Sequence, residues 1–241
     1  MTESGPPPEL LSALGRLIRG LSVLFWGLPL ALVVCVQTAK SDWLRPLGPL
    51  PPLLATIFLY FGLSLLAYFQ QQERVWMSAL GRTKTLAVIN IGLSPFLYFW
   101  NKIPAIPYFE HVVQLMSLSG LLFLFLLNHG LLRLALMLPD ETLRTETKVF
   151  TTLNRYLLAA SLIVLGTYFI AAEFFPVQFE RAIELLLRLN PFSSRGASAT
   201  MSIELGGIWL MLLFILPPVA MTMALIWKIK EVILSSVFGD A

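Results

Sequence analysis

LLFLFLLNHGLLRLALMLPDE, residues 121–141, carries apolar side chains without a break into Asn128, His129 and Arg133 before Pro139 stops the pattern. Followed back to Val112, it gives a segment, 112–137, long enough for a tilted crossing, since about 20 mainly apolar residues span the roughly 30 Å hydrocarbon of a bilayer. At about 100 degrees per residue, Glu110, His111, Gln114, Ser117, Asn128, His129 and Arg133 fall within an arc of about 160 degrees, so the helix has one polar face. Glu110, His111 and Gln114 mark one water boundary and Pro139-Asp140-Glu141 the other. His129 is then expected to hydrogen-bond a neighbouring helix or interfacial water, with Arg133 snorkelling to the headgroups. A His129 at the bilayer midplane would instead mark a functional site.

The whole chain shares this character. Of 241 residues, 57% are hydrophobic and 13% charged, where a soluble domain has about 25% charged residues. Mean hydropathy is +0.77, and the apolar residues come in blocks, so the solvent is lipid. Seventeen Lys and Arg against fourteen Asp and Glu give +3. Those cations are scattered singly between apolar blocks, which excludes the basic stripe of a nucleic-acid binder. Cys35 is the single cysteine, so neither an intramolecular disulfide nor a thiolate-rich metal site can form.

The blocks predict an all-α, polytopic helical membrane protein in one domain, with about six transmembrane helices over 21–36, 53–69, 85–100, 112–137, 157–175 and 203–229. The first, LSVLFWGLPLALVVCV, follows Arg16 and Arg19 but has no small-x-small cleavage site, so it reads as a retained span rather than a signal peptide. LLSALGRLIRG extends it backward. RPLGPLPP, residues 45–52, opens the second, because proline costs nothing where a helix has no partner for its N–H. The third holds Asn90, Ser94 and Pro95, and Pro95, Pro217 and Pro218 are expected to kink their helices. Within PVQFERAIELLLRLNPF, residues 176–192, Phe179, Ile183, Leu186 and Leu187 share one helical face opposite Glu180, Arg181, Glu184 and Arg188. That predicts an interfacial amphipathic helix over about 177–189. Gln71-Gln72-Glu73-Arg74 and Gln178-Phe179-Glu180-Arg181 echo one another, but three matches in so biased a composition are read as chance.

Six crossings put both termini on one side. With the termini inside, the inner segments hold eleven Lys and Arg and the outer segments six. The positive-inside rule then places both termini in the cytoplasm, with a bacterial cytoplasmic membrane as the expected location. Trp43, Trp76, Trp100 and Trp227 fall near span ends, as interfacial aromatics do. PDETLRTETKVFTTLNRY, residues 139–156, reads as a solvated connector with a helical turn or two.

Little chemistry fits. His111 and His129 lie on one helix, about 27 Å apart by helical rise, so one chain cannot hold a bis-histidine haem or a histidine zinc site. No HExxH, P-loop or dinucleotide fingerprint occurs, and no cofactor or metal is expected. Ser119 and His129 lie about 15 Å apart on the same helix, too far for a nucleophile and its base. Glu173 and Glu204 end the fifth span and begin the sixth, where they are expected to form interfacial ion pairs with Arg181 or His111; the functional alternative is a gate or proton acceptor.

The leading reading is a non-enzymatic membrane subunit or assembly and scaffold component, partnered by the lipid bilayer and by another membrane protein or a second copy, with no nucleic acid. A small permease is the alternative, with Asn90, Asn128, His129 and Glu204 beside the proline kinks lining a path between the third, fourth and sixth spans. A lipid-modifying intramembrane enzyme comes third, and would need Glu110, His111, Glu173 and Glu204 to converge.

Overall fold

A computed structural model describes residues 8–70, 72–137, 141–174 and 199–238; side chains are described at 12–70, 72–137, 145, 147–171, 174 and 215–235. Among the described residues every regular element is helical: α1 (Pro8–Lys40), a 3-10 turn (Arg45–Leu47), α2 (Leu50–Leu66), α3 (Arg74–Leu93), α4 (Phe96–Lys102), α5 (Pro107–Leu136), α6 (Glu141–Phe174) and α7 (Ala199–Phe238). Also among them, Ser12–Lys40, Pro107–Leu136 and Thr147–Ala171 are long and apolar enough to cross a membrane, and Leu50–Leu66 is a shorter apolar helix. These helices mark an integral-membrane protein.

Consecutive long helices pack side by side and close into a ring, α1 on α2, α2 on α3, α3 on α5, α5 on α6, α6 on α7, and α7 back on α1. Glycines bring α1 and α2 together. A Cβ on Gly20 would collide with Leu66 Cδ1 and come within 3.0 Å of the Gly62 carbonyl, while one on Gly62 would meet Leu24 at 3.0 Å. In lipid, where apolar side chains gain little by leaving the solvent, such backbone approach is what lets dispersion contacts hold two helices. Phe25 of α1 meets Trp227 of α7 at 5.6 Å between ring centroids, which closes the ring. The start of α1 and the end of α7 therefore lie at one end of the bundle, called here the terminus end.

Its surface is inverted relative to a soluble protein. Trp26, Val33, Phe61, Leu153, Ile163 and Ile170 point outward. Thr83, Asn128, Thr151, Asn154, Ser161 and Thr222 are buried. Outward apolar and inward polar groups are the arrangement a hydrocarbon solvent selects.

The helices depart from the expected spans at their ends. The stretch expected as the third span, 85–100, falls on two helices. α3 begins at Arg74, takes in Arg82 and Lys84, and stops at Leu93; α4 follows as a separate short helix. Pro95 is the cause, because it has no N–H for the Ile91 carbonyl. Ser94 Oγ donates to that carbonyl instead, at 2.9 Å. α6 starts at Glu141, so most of the expected connector 139–156 is helix, and its Thr147, Thr151 and Asn154 are buried at helical spacing while Val149, Phe150, Leu153 and Tyr156 face outward. Trp76 is not an interfacial aromatic. It is 1% exposed, and its indole N–H donates to the Phe69 carbonyl at 3.1 Å, which locks the turn between α2 and α3. Trp43, at 80% exposure, does lie outside the packed bundle. α7 continues through Pro217 and Pro218 as one helix. The expected amphipathic helix at 177–189 lies outside the described residues.

The end opposite the termini is closed by α4, which packs on α1 and α5. Asn101 Nδ2 donates to the Thr38 and Ser41 carbonyls at 3.1 and 3.4 Å, covering carbonyls that the end of α1 leaves without helical partners. Lys40 lies over the Trp100 ring at 5.3 Å and Lys102 over Tyr98 at 5.7 Å. Such cation-π pairs suit an interface that is half apolar and half wet.

Candidate functional site

Asn128 is the centre of the buried polar group. It is fully buried, because Leu124, Leu127, Leu131 and Ala135 on the same helix pack inward around it. Its Nδ2 donates to the Leu124 carbonyl one turn back and to Thr222 Oγ1 on α7, both at 2.8 Å. Asn154 Nδ2, from α6, donates to Asn128 Oδ1 at 2.9 Å and to Thr222 Oγ1 at 3.1 Å. Thr222 Oγ1 in turn donates to the Pro218 carbonyl at 2.7 Å. A hydroxyl has one proton and two lone pairs, so Thr222 is saturated, as are both amide protons of Asn128. Three helices are thus tied by three side chains, none of them titratable in the ordinary range. Among the described residues Asn154 Oδ1 remains buried without a partner, as do Oγ1 of Thr147 and Thr151 further along α6 toward the terminus end.

His129 is one residue on, about 100 degrees around the helix, and faces a different groove. It is half-buried, and Arg155, Arg133 and Arg82 act on it electrostatically. Phe125, His129 and Arg133 stand four residues apart along one stripe of α5, and the Arg155 guanidinium covers the Phe125 ring at 5.2 Å. Arg133 lines an open cleft of about 380 Å³ with Gln70, Glu73, Val75, Leu136 and Met137 at the terminus end. Its Nε is buried with no hydrogen-bond partner among the described residues.

No family model, curated protein or solved structure matches this chain. The geometry of its side chains therefore carries the functional argument.

The single polar face expected on α5 divides in three. Glu110 and His111 are exposed on its first turns, Asn128 is enclosed by α6 and α7, and Arg133, with the half-buried His129 one turn before it, lines the cleft beside Glu73 and Val75. Asn90 does not join the Asn128 network. Gly130 of α5 lies against Trp76, so with α3 and α5 running opposite ways Asn90 falls about 18 Å farther along the axis than Asn128. Its Oδ1 is buried without a partner. Glu173 and Glu204 lie on α6 and α7, but their side chains are outside the described residues. Asn154 and Thr222 were not singled out from the sequence. The signal that points to Asn154 is the spacing of Thr147, Thr151 and Asn154 on one face, with large apolar residues opposite. Thr222 stands one turn after Pro218, where a hydroxyl readily returns to the carbonyl four residues back.

Proposed function

We propose that this chain is a non-enzymatic, multi-pass subunit or assembly component of a membrane complex, with about six crossings. The observation that carries the reading is the Asn128–Asn154–Thr222 cluster. It occupies the junction of α5, α6 and α7, and its donors are spent on one another and on helix carbonyls. Polar groups committed in this way hold helices together rather than bind and release a solute. The outward apolar faces of α1, α2 and α6 offer surface both to lipid and to a neighbouring membrane protein or second copy.

Ten of the described cations, among them Arg16, Arg74, Arg133 and Lys228, lie in the half of the bundle nearer the termini, against Lys40, Arg45 and Lys102 at the other end. This supports termini on the cytoplasmic side of a bacterial inner membrane. The test is purification from its native membrane in a mild detergent, followed by native mass spectrometry. A foreign membrane protein at fixed stoichiometry is expected. A homodimer that moves solute when reconstituted into vesicles would overturn the reading in favour of a permease.

A further inference from the structure

The open cleft at the terminus end holds a cation and an anion that do not neutralise each other. Its volume is about 380 Å³, and two elements build its walls. The end of α5 supplies Arg133, Leu136 and Met137, and the passage from α2 into α3 supplies Gln70, Glu73 and Val75. The walls are fixed against one another by Trp76, whose N–H donates to the Phe69 carbonyl and whose ring lies against Gly130 of α5. Among the described residues neither Arg133 nor Glu73 has an oppositely charged side chain within 4.0 Å. Arg133 Nε is also buried with no hydrogen-bond partner among them, whereas Glu73 is exposed. The two charges thus share one small cleft, too far apart to form an ion pair and near enough for a single ligand to meet both.

Position narrows the ligand. Arg133 stands three residues before the end of α5, about 4.5 Å along the axis at 1.5 Å per residue, and Glu73 directly precedes the first residue of α3. A helix that crosses the hydrocarbon delivers its last turn to the headgroup layer, where phosphate is the commonest anion. A guanidinium takes phosphate through paired charge-assisted hydrogen bonds. A primary ammonium tethered to that phosphate has three N–H donors to share between the Glu73 carboxylate and the Gln70 amide oxygen. A purely anionic headgroup leaves Glu73 facing a like charge, and a quaternary ammonium has no N–H to give it. Val75, Leu136 and Met137 offer apolar wall to the glycerol and upper acyl carbons that follow the phosphate.

We propose that this cleft binds the phosphoethanolamine headgroup of a membrane lipid, with its phosphate on Arg133 and its ammonium on Glu73. The assignment needs the chain to be embedded in a bilayer, and it holds with or without a protein partner.

The test follows thermal unfolding of the full chain in neutral detergent as phosphatidylethanolamine, phosphatidylcholine, phosphatidylglycerol or soluble phosphoethanolamine is added. Phosphatidylethanolamine is expected to raise the midpoint at concentrations about tenfold lower than the other two lipids need, the effect of one charge-assisted hydrogen bond. Soluble phosphoethanolamine, without acyl chains, is expected to have no effect at those concentrations. Glu73 is exposed, so Glu73→Gln removes the charge without opening the core, and it should erase the preference for phosphatidylethanolamine over phosphatidylglycerol. Arg133→Gln should weaken the response to all three lipids, with Arg133→Lys losing less. Equal responses to phosphatidylethanolamine and phosphatidylcholine, or an unchanged preference in Glu73→Gln, would overturn the site. A response to soluble phosphoethanolamine as strong as to the lipid would overturn the lipid as its carrier.

Discussion

Asn154 of α6 donates from its side-chain Nδ2 to the side-chain Oδ1 of Asn128 on α5 over 2.9 Å, with both residues buried. The same nitrogen reaches Thr222 of α7, so one amide group links three helices. Removing Asn154 leaves the buried Asn128 Oδ1 unmet, and removing Asn128 takes from Asn154 and Thr222 one buried hydrogen bond each. Asn128→Leu and Asn154→Leu are each expected to cost about 1–3 kcal/mol. Their double-mutant cycle, measured by reversible unfolding in mixed detergent, should show coupling of about 0.6–1.7 kcal/mol. Additivity to within about 0.3 kcal/mol would mean the two residues do not interact.

The α1–α2 pair depends on glycine where two backbones meet. Gly20→Val would press on Leu66 and on the Gly62 carbonyl, and is expected to destabilise the protein by about 1–3 kcal/mol as an overpacked contact. Gly166→Ala is the control. It lies inside α6 with nothing near its would-be Cβ, so up to about 1 kcal/mol of stabilisation is expected from helix propensity. Thermal unfolding in detergent separates the two signs; a Gly20→Val variant as stable as wild type would argue against this helix pairing.

Ser94 and Pro95 form a compensating pair. Ser94→Ala removes the hydroxyl that serves the Ile91 carbonyl and should cost about 1 kcal/mol. Adding Pro95→Ala restores a backbone N–H at that place, so the double variant should regain stability and join α3 to α4 as one helix. Greater instability in the double variant than in Ser94→Ala alone would refute this pairing.

The apolar runs made the helices themselves legible, and α2 and the core of α5 fall close to their expected positions. Ends were harder to read because a membrane helix continues past the hydrocarbon. Arg74, Arg82 and Lys84 interrupt the apolar signal of α3 without interrupting its hydrogen bonds. Thr147, Thr151 and Asn154 made the start of α6 resemble a solvated connector, since polarity normally marks the outside of a soluble fold; here those side chains face the interior. Asn128 stood out as a polar residue in an apolar run. Its partners did not, because they lie 26 and 94 residues away and only the ring of helices brings them together.

The connectivity of that ring is testable by single-cysteine labelling in intact cells, starting from a Cys35→Ser background. Ser41→Cys and Ile103→Cys, at the end of the bundle away from the termini, are expected to react with a membrane-impermeant maleimide. Gln72→Cys and Ser235→Cys should react only after the membrane is opened. Labelling of Gln72→Cys and Ser41→Cys from the same face of the intact membrane would contradict the arrangement, because α2 would then enter and leave the bilayer on one side.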